Sequence, residues 1–508
     1  MTVARAWSAA LVGLDALPVV VEAAIGLGLP GLTIVGLPDA AVRESRERIR
    51  SALRQIGLAL PGRSVVVNLA PADLPKSGTG FDLAVAMAIL AATGDVPAEG
   101  LEGLTLVGEL ALDGEIRPVP GVLSIAEASR ADGRRCLVVA PENAAEASAV
   151  PGVVVLSAPH LGAVVAHVAG RELLAPYEPP PARPETDADE PDLGEVRGQA
   201  LARRALEIAA AGGHNILLSG PPGSGKTMLA RRLPGILPPL SPEEALETTR
   251  IWSAAGRLPT GSGLLRIRPF RSPHHGASAP ALSGGGSDPR PGELSLAHHG
   301  VLFLDELPEF RRDALEALRE PLEEGVVRVT RASGSRTFPA RFVLVAAMNP
   351  CPCGFRGDPR KACTCSEHDV ARYRRKVSGP LLDRIDLHVE VPALPSSDLT
   401  AEASPEPSSS VRERVQKART RQAARTGDAR LTNAALSPAR LRATAALAPE
   451  ASALLARAMD RLALSARAHQ RVVRVARTIA DLEGAPGTGP SHVAEALRYR
   501  SNASPVNR

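Results

Sequence analysis

Lys226 and Thr227 close the run Gly220-Pro221-Pro222-Gly223-Ser224-Gly225-Lys226-Thr227, and this spacing is that of a phosphate-binding loop. Its glycines let backbone N–H groups crowd around phosphate oxygens without a Cβ in the way. Lys226 would reach the β- and γ-phosphates, and the Thr227 hydroxyl would hold Mg²⁺. A second pair, Asp305-Glu306, ends the apolar run Val301–Leu304. A carboxylate at the end of a strand beside the P-loop strand can hold Mg²⁺, and its neighbour can polarise a water. The two stretches together are the equipment of a nucleoside triphosphatase.

A third group of reactive side chains is Cys351-Pro-Cys353 and, after nine residues, Cys363-Thr-Cys365. Four thiolates satisfy a tetrahedral Zn²⁺, although the pairs are CxC where zinc sites usually carry CxxC. A structural zinc and free or redox-active thiols both fit the pattern. His274 and His275 follow Arg271 in a long insert; two adjacent histidines alone do not make a metal site.

These residues need elements to hold them. Ile216–Leu218 reads as a buried strand running into the P-loop, and Met228 onward as the helix after it, whose dipole would favour a phosphate. Ala200–Ala211 reads as a helix before that strand. The segment 268–299, rich in Gly, Pro and His, is too long for a simple connection. Arg311–Glu324 reads as one helix. Two β-type runs flanking Ser333-Gly334 predict a hairpin bearing Arg328, Arg331 and Arg336, and Phe342–Ala346 the next buried strand.

The fold class is α/β, and around this core residues 1–172 read as an α+β domain. Its strands are Val19–Val21, Leu32–Val35, Val65–Leu69, Thr105–Leu110, Cys136–Ala140 and Val153–Leu156. Its clearest helices are Val42–Gln55, Phe81–Ala92 and Val122–Ala131. Residues 173–192 are proline-rich and acidic and predict a semi-rigid spacer. The core then spans 193–391, a Ser/Pro-rich linker 392–410, and a helical region 411–508. In that last region Leu436–Ala446, Ala451–Leu462, Ala466–Glu483 and Ser491–Tyr499 carry helical spacing.

The 508 residues carry a net charge of +4, which permits a nucleic-acid partner without demanding one. Aromatic residues make up only 2%, so base stacking is not expected to be the main mode of binding. No apolar run approaches the roughly 18 residues that span a bilayer. The apolar stretch Ala6–Leu14 lacks a small-residue cleavage site, so no leader is expected. Four clustered cysteines among five suit a reducing cytoplasm better than a disulfide scaffold.

Two resemblances extend this reading. The stretches Val65–Pro71, Pro75–Ala86 and Gly108–Pro120 resemble the domain shared by Lon proteases and the RadA recombination protein. Aligned on Pro75-Lys76, the position of the Lon serine is Gly80, and its lysine falls near Leu123. A peptidase needs a nucleophile and a base within hydrogen-bond reach, so the resemblance implies a non-proteolytic module, with Ser77 the nearest hydroxyl. The rest is identified as a member of the Mg-chelatase-like AAA+ ATPases of the YifB/ComM family. The carriers are RSPHH (Arg271–His275), ALSGGG (Ala281–Gly286), PGELSLAHHGVLFLDELPEF (Pro291–Phe310), AAMNPCPCG (Ala346–Gly354) and SGPLLDRID (Ser378–Asp386).

That resemblance implies an AAA+ core with a parallel sheet, a C-terminal helical lid, ATP and Mg²⁺ as reagents, and a homo-oligomeric ring, a hexamer in ComM-type members. Those members are DNA helicases that promote branch migration in natural transformation. By position, Asn349 resembles sensor 1, which orients the attacking water. Arg384 resembles an arginine finger inserted into a neighbour's site, and Arg467 resembles sensor 2. The hairpin and the insert correspond to channel-lining elements, with Arg331 the foremost phosphate contact beside Arg328 and Arg336. His274 and His275 would face DNA or a neighbouring subunit. The competing expectation is a chelatase-type ATPase that remodels a protein partner; an ATP-dependent protease is disfavoured by Gly80 and Leu123.

Overall fold

The computed structural model describes residues 3–180, 191–286, 289–331, 334–358, 360–394, 406–462 and 464–500. The chain opens on strand Val3–Val12, which turns through Gly13 and Leu14 into strand Asp15–Gly26, with Val12 opposite Asp15. Gly13 lies at φ +67°, the left-handed conformation that so short a hairpin turn requires. The apolar stretch Ala6–Leu14 is therefore mostly a core strand, with Ala6 and Ala10 buried. The hairpin joins Ser64–Ala70 and Gly31–Val35 in a four-stranded mixed sheet. Helix Asp82–Thr93 is buried on nearly every side, as its unbroken apolar sequence requires, and it packs on the hairpin strands.

A parallel three-stranded sheet (Leu104–Leu106, Cys136–Val139, Val154–Ser157) completes this region. The predicted strand Thr105–Leu110 is broken in two. Gly108 turns aside to donate its N–H to the Gly80 carbonyl (3.1 Å), and Glu109–Leu110 then pairs with Ile116–Arg117. The predicted spacer 173–192 also begins as structure. Pro176 bridges Leu156, and the Tyr177 N–H donates to the Val155 carbonyl (2.7 Å), because the sheet's edge strand offers free acceptors. Residues 181–190 of that spacer lie outside the described residues.

The nucleotide core is a five-stranded parallel sheet in the order Phe270–Arg271, Val301–Leu304, Val343–Met348, Ile216–Ser219, Leu387–Glu390. The expectation that Val301–Leu304 lies beside the P-loop strand is corrected here: Val343–Met348 stands between them. The predicted helix Arg311–Glu324 is also two helices, Arg312–Glu316 and Arg319–Glu324. Pro321 has no N–H for the carbonyl of Ala317, so a single helix cannot run through.

The elements of the C-terminal region are helices throughout its described residues, joined by short loops. Its first helix, Ser408–Thr426, starts inside the predicted linker 392–410, whose residues 395–405 lie outside the described ones. Pro438–Thr444, Pro449–Leu462, Ala466–Glu483 and Pro490–Arg498 follow. Each of the three prolines opens its helix, where a missing N–H costs nothing. No helix among the described residues is long and apolar enough to cross a membrane.

The N-terminal region sits directly on the core. Ser253, in helix Pro242–Ala254, accepts the Gly121 N–H (2.9 Å to Oγ) and donates to the buried Glu146. Arg250 of the same helix donates to the Leu14 carbonyl (2.9 Å) and pairs with Asp15.

Candidate functional site

All five strands of the core sheet run the same way, so their C-terminal ends share one edge. Ser219 leads there into the P-loop, Leu304 into Asp305-Glu306, Met348 into Asn349, and Arg271 into His274-His275. The inserted middle strand is what places Asn349 between the P-loop and the acidic pair.

The P-loop is shaped as its sequence predicts. A Cβ on Gly220 would lie 2.1 Å from the Val391 carbonyl oxygen, so no other residue fits there. Gly223 and Gly225 take φ of +75° and +92°. The buried Lys226 Nζ donates to the carbonyls of Gly220 (2.7 Å) and Pro221 (2.9 Å) and to Asn349 Oδ1 (3.2 Å). Burial holds its ammonium below the usual lysine range, against the pull of Asp305 and Glu306. The Thr227 hydroxyl donates to Asp305 Oδ2 at 2.8 Å. Two oxygen donors thus converge where Mg²⁺ needs them, which is the fit a hard cation requires. Gln199 has no role in the sequence reading, yet its Nε2 donates to the carbonyls of Ser224 (3.3 Å) and Pro392 (2.7 Å) and props the loop from behind. Only its place in Gly198-Gln199, before the helix that precedes the P-loop strand, signals it.

Glu306 adopts φ +53°, and its N–H donates to Asp305 Oδ1 (2.9 Å). Its carboxylate is half-exposed, with His275 Nδ1 3.2 Å from Oε2. The His275 ring lies 4.1 Å from that of the exposed His274 and 6.5 Å from Phe310, edge-on.

Arg384 lies at the other edge. Its carbonyl accepts from Asn215 Nδ2 (3.1 Å), and Asn215 precedes the P-loop strand. A four-residue strand separates it from its own P-loop by about 13 Å. Its guanidinium is held by the Pro380 carbonyl (2.7 Å) and by Glu323. Arg467, at the start of helix Ala466–Glu483, is exposed. One turn along its helix, Arg471 donates to Asp386 Oδ1 (2.6 Å), while Asp386 Oδ2 accepts from the Asn215 N–H (3.2 Å). Arg474, another arginine of that helix, is bound to the Leu436 carbonyl.

The predicted hairpin forms from Val326–Arg331 and Gly334–Pro339; residues 332 and 333, at the predicted turn, lie outside the described ones. Its three arginines differ. Arg328 is paired with Glu320 and with Glu324 (2.7 Å). Arg336 lies against Gly13 of the N-terminal region. Arg331 is exposed, forms no ion pair among the described residues, and sits beside Gly285 of the insert.

The four cysteines come together. Cys351 Sγ is 3.4 Å from Cys353 Sγ and 3.6 Å from Cys363 Sγ, and all four sulfurs fall within 4.8 Å of one another. A tetrahedron with Zn–S bonds of about 2.3 Å has edges of about 3.8 Å, close to this spacing. Backbone N–H groups of Phe355 and Thr364 bring the Cys353 thiol down to about 5. Gly354 of this loop packs on the P-loop: a Cβ there would meet Pro222 at 2.7 Å.

Glu247, His298 and His299 form a second convergent set, with both Nε2 atoms near Glu247 Oε2 (3.3 and 2.8 Å). The Arg341 N–H donates to His298 Nδ1 (2.9 Å), so the ring proton is on Nε2, and the lone pair a cation would need there is taken. This set is a hydrogen-bond network between the buried His298, the partly buried His299 and the half-exposed Glu247. In the N-terminal region Gly80 faces Val107 and Val119, and Leu123 is fully buried, its N–H donating to Glu146 Oε1 (2.7 Å).

Three family models match the chain: subunit ChlI of Mg-chelatase over residues 21–143, magnesium chelatase subunit ChlI over 192–399, and its C-terminal part over 405–500. The YifB protein of Salmonella typhimurium is 46% identical over 504 residues, covering 99% of this chain and 97% of that one. The competence protein ComM of Haemophilus influenzae is 44% identical over 507 residues, covering 99% and 98%. A magnesium-chelatase 67 kDa subunit of Chlorobaculum parvum is 31% identical over 162 residues, covering 31% of this chain and 23% of that one.

Proposed function

Because the chain belongs to the YifB/ComM family, with its magnesium-chelatase-like AAA+ core, we propose that it is an ATP-driven DNA translocase. Its work is branch migration as incoming single-stranded DNA recombines, in the cytoplasm, by a ring of identical subunits. The observation that carries this reading is the separation of Arg384 from its own P-loop by the length of the P-loop strand. One chain holds a binding site and, on the opposite edge, an arginine that only a neighbour's nucleotide could meet.

Lys226, Thr227 and Asp305 hold the nucleotide and its Mg²⁺, and the metal neutralises charge on the phosphates. Glu306 polarises the attacking water and Asn349 orients it. Arg384, released from Glu323, completes the neighbour's site, with Arg467 as sensor 2. Arg331 is the phosphate contact in the channel; Arg328 is spent on its own carboxylates and Arg336 on packing. The competence protein's match, 44% identical over nearly the whole chain, favours this reading over remodelling of a protein partner. The sulfur spacing supports a closed Cys₄ zinc site that stabilises the loop after Asn349.

ATP turnover with and without oligo(dT), across a salt series, tests the proposal. DNA should raise turnover, and binding should weaken steeply with salt. Glu306→Gln should keep nucleotide affinity and lose turnover by about 10²-fold or more, as loss of a general base does. Absence of both stimulation and salt-dependent binding would reject the DNA motor; normal turnover in Glu306→Gln would reject the role of Glu306.

A further inference from the structure

The N-terminal region meets the core around a cavity of about 60 Å³ that the nucleotide chemistry does not use. Phe81, Val107, Val119 and Ile125 wall it from the N-terminal side and Ala254 from the core, all of them buried. Ser77, Pro120 and Arg290 also line it, are exposed, and mark its mouth. The floor is apolar and the rim polar, which is how small-ligand sites are divided.

Two features of the rim call for a negatively charged oxygen. The loop Ser77–Phe81 runs along the cavity, and the N–H groups of Thr79, Gly80 and Phe81 donate to no protein group among the described residues. Phe81 is buried, and a buried N–H without an acceptor is rare. Successive backbone N–H groups of this kind form a concavity for an anion. Arg290 is the one charged residue of the lining, and its guanidinium forms no hydrogen bond or ion pair among the described residues. The carboxylates nearby do not oppose an anion, because they are already engaged. Asp39 accepts the N–H groups of Val42 (2.8 Å) and Gly78 (3.0 Å), and Asp82 is paired with Arg48 (2.7 Å).

Size narrows the anion. One water needs roughly 10–15 Å³, so the cavity takes about four to six heavy atoms. A phosphate of that size would press oxygens against Val107 and Val119, where nothing can bond them. A purely apolar group would leave the rim unanswered. A carboxylate carried on one or two carbons satisfies both halves, and the last residue of a chain ending in alanine has that shape. Gly80 keeps the room open: a Cβ there would lie 3.7 Å from Val119 and 3.8 Å from Val107, so a larger side chain fills the floor.

We propose that this cavity receives the C-terminal carboxylate of a partner protein whose last side chain is small and apolar. The side chain goes to Val107 and Val119, the carboxylate to Arg290 and the N–H groups of Thr79, Gly80 and Phe81, and the chain leaves through the mouth. Because Ala254 and Arg290 belong to the core, the bound end also ties the N-terminal region to it.

The test is fluorescence anisotropy of a labelled Gly-Ser-Gly-Ala peptide on the full chain, against the same peptide with a C-terminal amide. The acid should bind about tenfold or more tightly than the amide, the range of one hydrogen bond to a charged group. Arg290→Gln should bring the two forms together, and Arg290→Lys should keep part of the preference. Gly80→Val should weaken binding of the acid by about tenfold or more and unfold at the wild-type denaturant concentration. Should Gly80→Val fail to fold, the Arg290 pair decides, since that side chain is exposed and holds no other group. Equal binding of acid and amide, absence of binding, or a preference that survives Arg290→Gln overturns the proposal. So does free butyrate displacing the peptide with the peptide's own affinity, which would make the cavity a site for small acids.

Discussion

The two edges of the parallel sheet are built from the same five strands and end in opposite ways. At the P-loop edge the polar groups meet in short contacts that a ligand would replace: Lys226 on loop carbonyls and Asn349, Thr227 on Asp305, Glu306 facing His275. At the opposite edge they are closed on one another. His214, fully buried, bonds Thr478 (2.8 Å); Asp386 takes Arg471 and the Asn215 N–H; Arg500 donates to the Ile385 carbonyl (2.7 Å). The first edge is a site in waiting, and the second is a clamp between sheet and helical lid. Arg384 is tethered at the rim of that clamp, which makes the clamp the mount of whatever Arg384 does for a neighbour.

The comparison is broken most severely at Lys226. Lys226→Ala removes the cation that three acceptors now hold, and nucleotide binding should vanish in a fluorescent-nucleotide titration while the fold persists. Arg384→Ala comes next. The first edge is intact, so each subunit should still bind ATP, but turnover should fall by about 10³-fold, the range seen for arginine fingers. In mixed rings the loss should follow the neighbour of the mutated subunit. Loss that tracks only the mutated subunit's own nucleotide would place Arg384 at the wrong edge.

Asp386 tests the clamp itself. Burial works against its ionisation, but His214, Arg471 and Arg500 outweigh it and hold the carboxyl well below the usual range. Its folded pKa lies below its unfolded one, so its stabilisation is present above the unfolded value of about 3.9 and is lost as pH falls through the folded value. Asp386→Ala leaves Arg471 and His214 uncompensated and should cost about 3–5 kcal/mol in denaturant unfolding near neutral pH. That deficit should shrink in acid. A deficit independent of pH would mean that packing, and not charge, joins lid to sheet.

How much of this could be read beforehand follows from the range of the contacts. The P-loop, the Asp305-Glu306 pair and the hairpin are local: their glycines, apolar runs and turn signals sit within about a dozen residues. The sheet order is not local. Nothing in Val301–Leu304 or Phe342–Ala346 says which lies next to Ile216–Ser219, because buried parallel strands all read as apolar runs. For the same reason the run Ala6–Leu14 does not announce itself as a strand: its partner is fixed by a hairpin turn at Gly13, and its burial by helix Asp82–Thr93. Arg328 and Arg331 look alike in sequence. Only the placement of helix Arg319–Glu324 beneath the hairpin reveals that one is neutralised and the other open.

The gentlest perturbation falls on the cysteine loop, and it separates the edges most cleanly. Cys351 is two residues past Asn349, and Gly354 presses on Pro222 of the P-loop, so the loop braces the first edge. A zinc ion held by Cys351, Cys353, Cys363 and Cys365 would fix that brace. Protein purified without chelators should carry one zinc per chain by elemental analysis. Its removal should weaken nucleotide binding by about tenfold, the equivalent of 1.4 kcal/mol of lost support. The acid dependence of unfolding set by Asp386 should not move. A zinc content near zero removes the metal from the account. Loss of the Asp386 signature on chelation would show that the two edges are not independent, and the division of labour across the sheet would have to be redrawn.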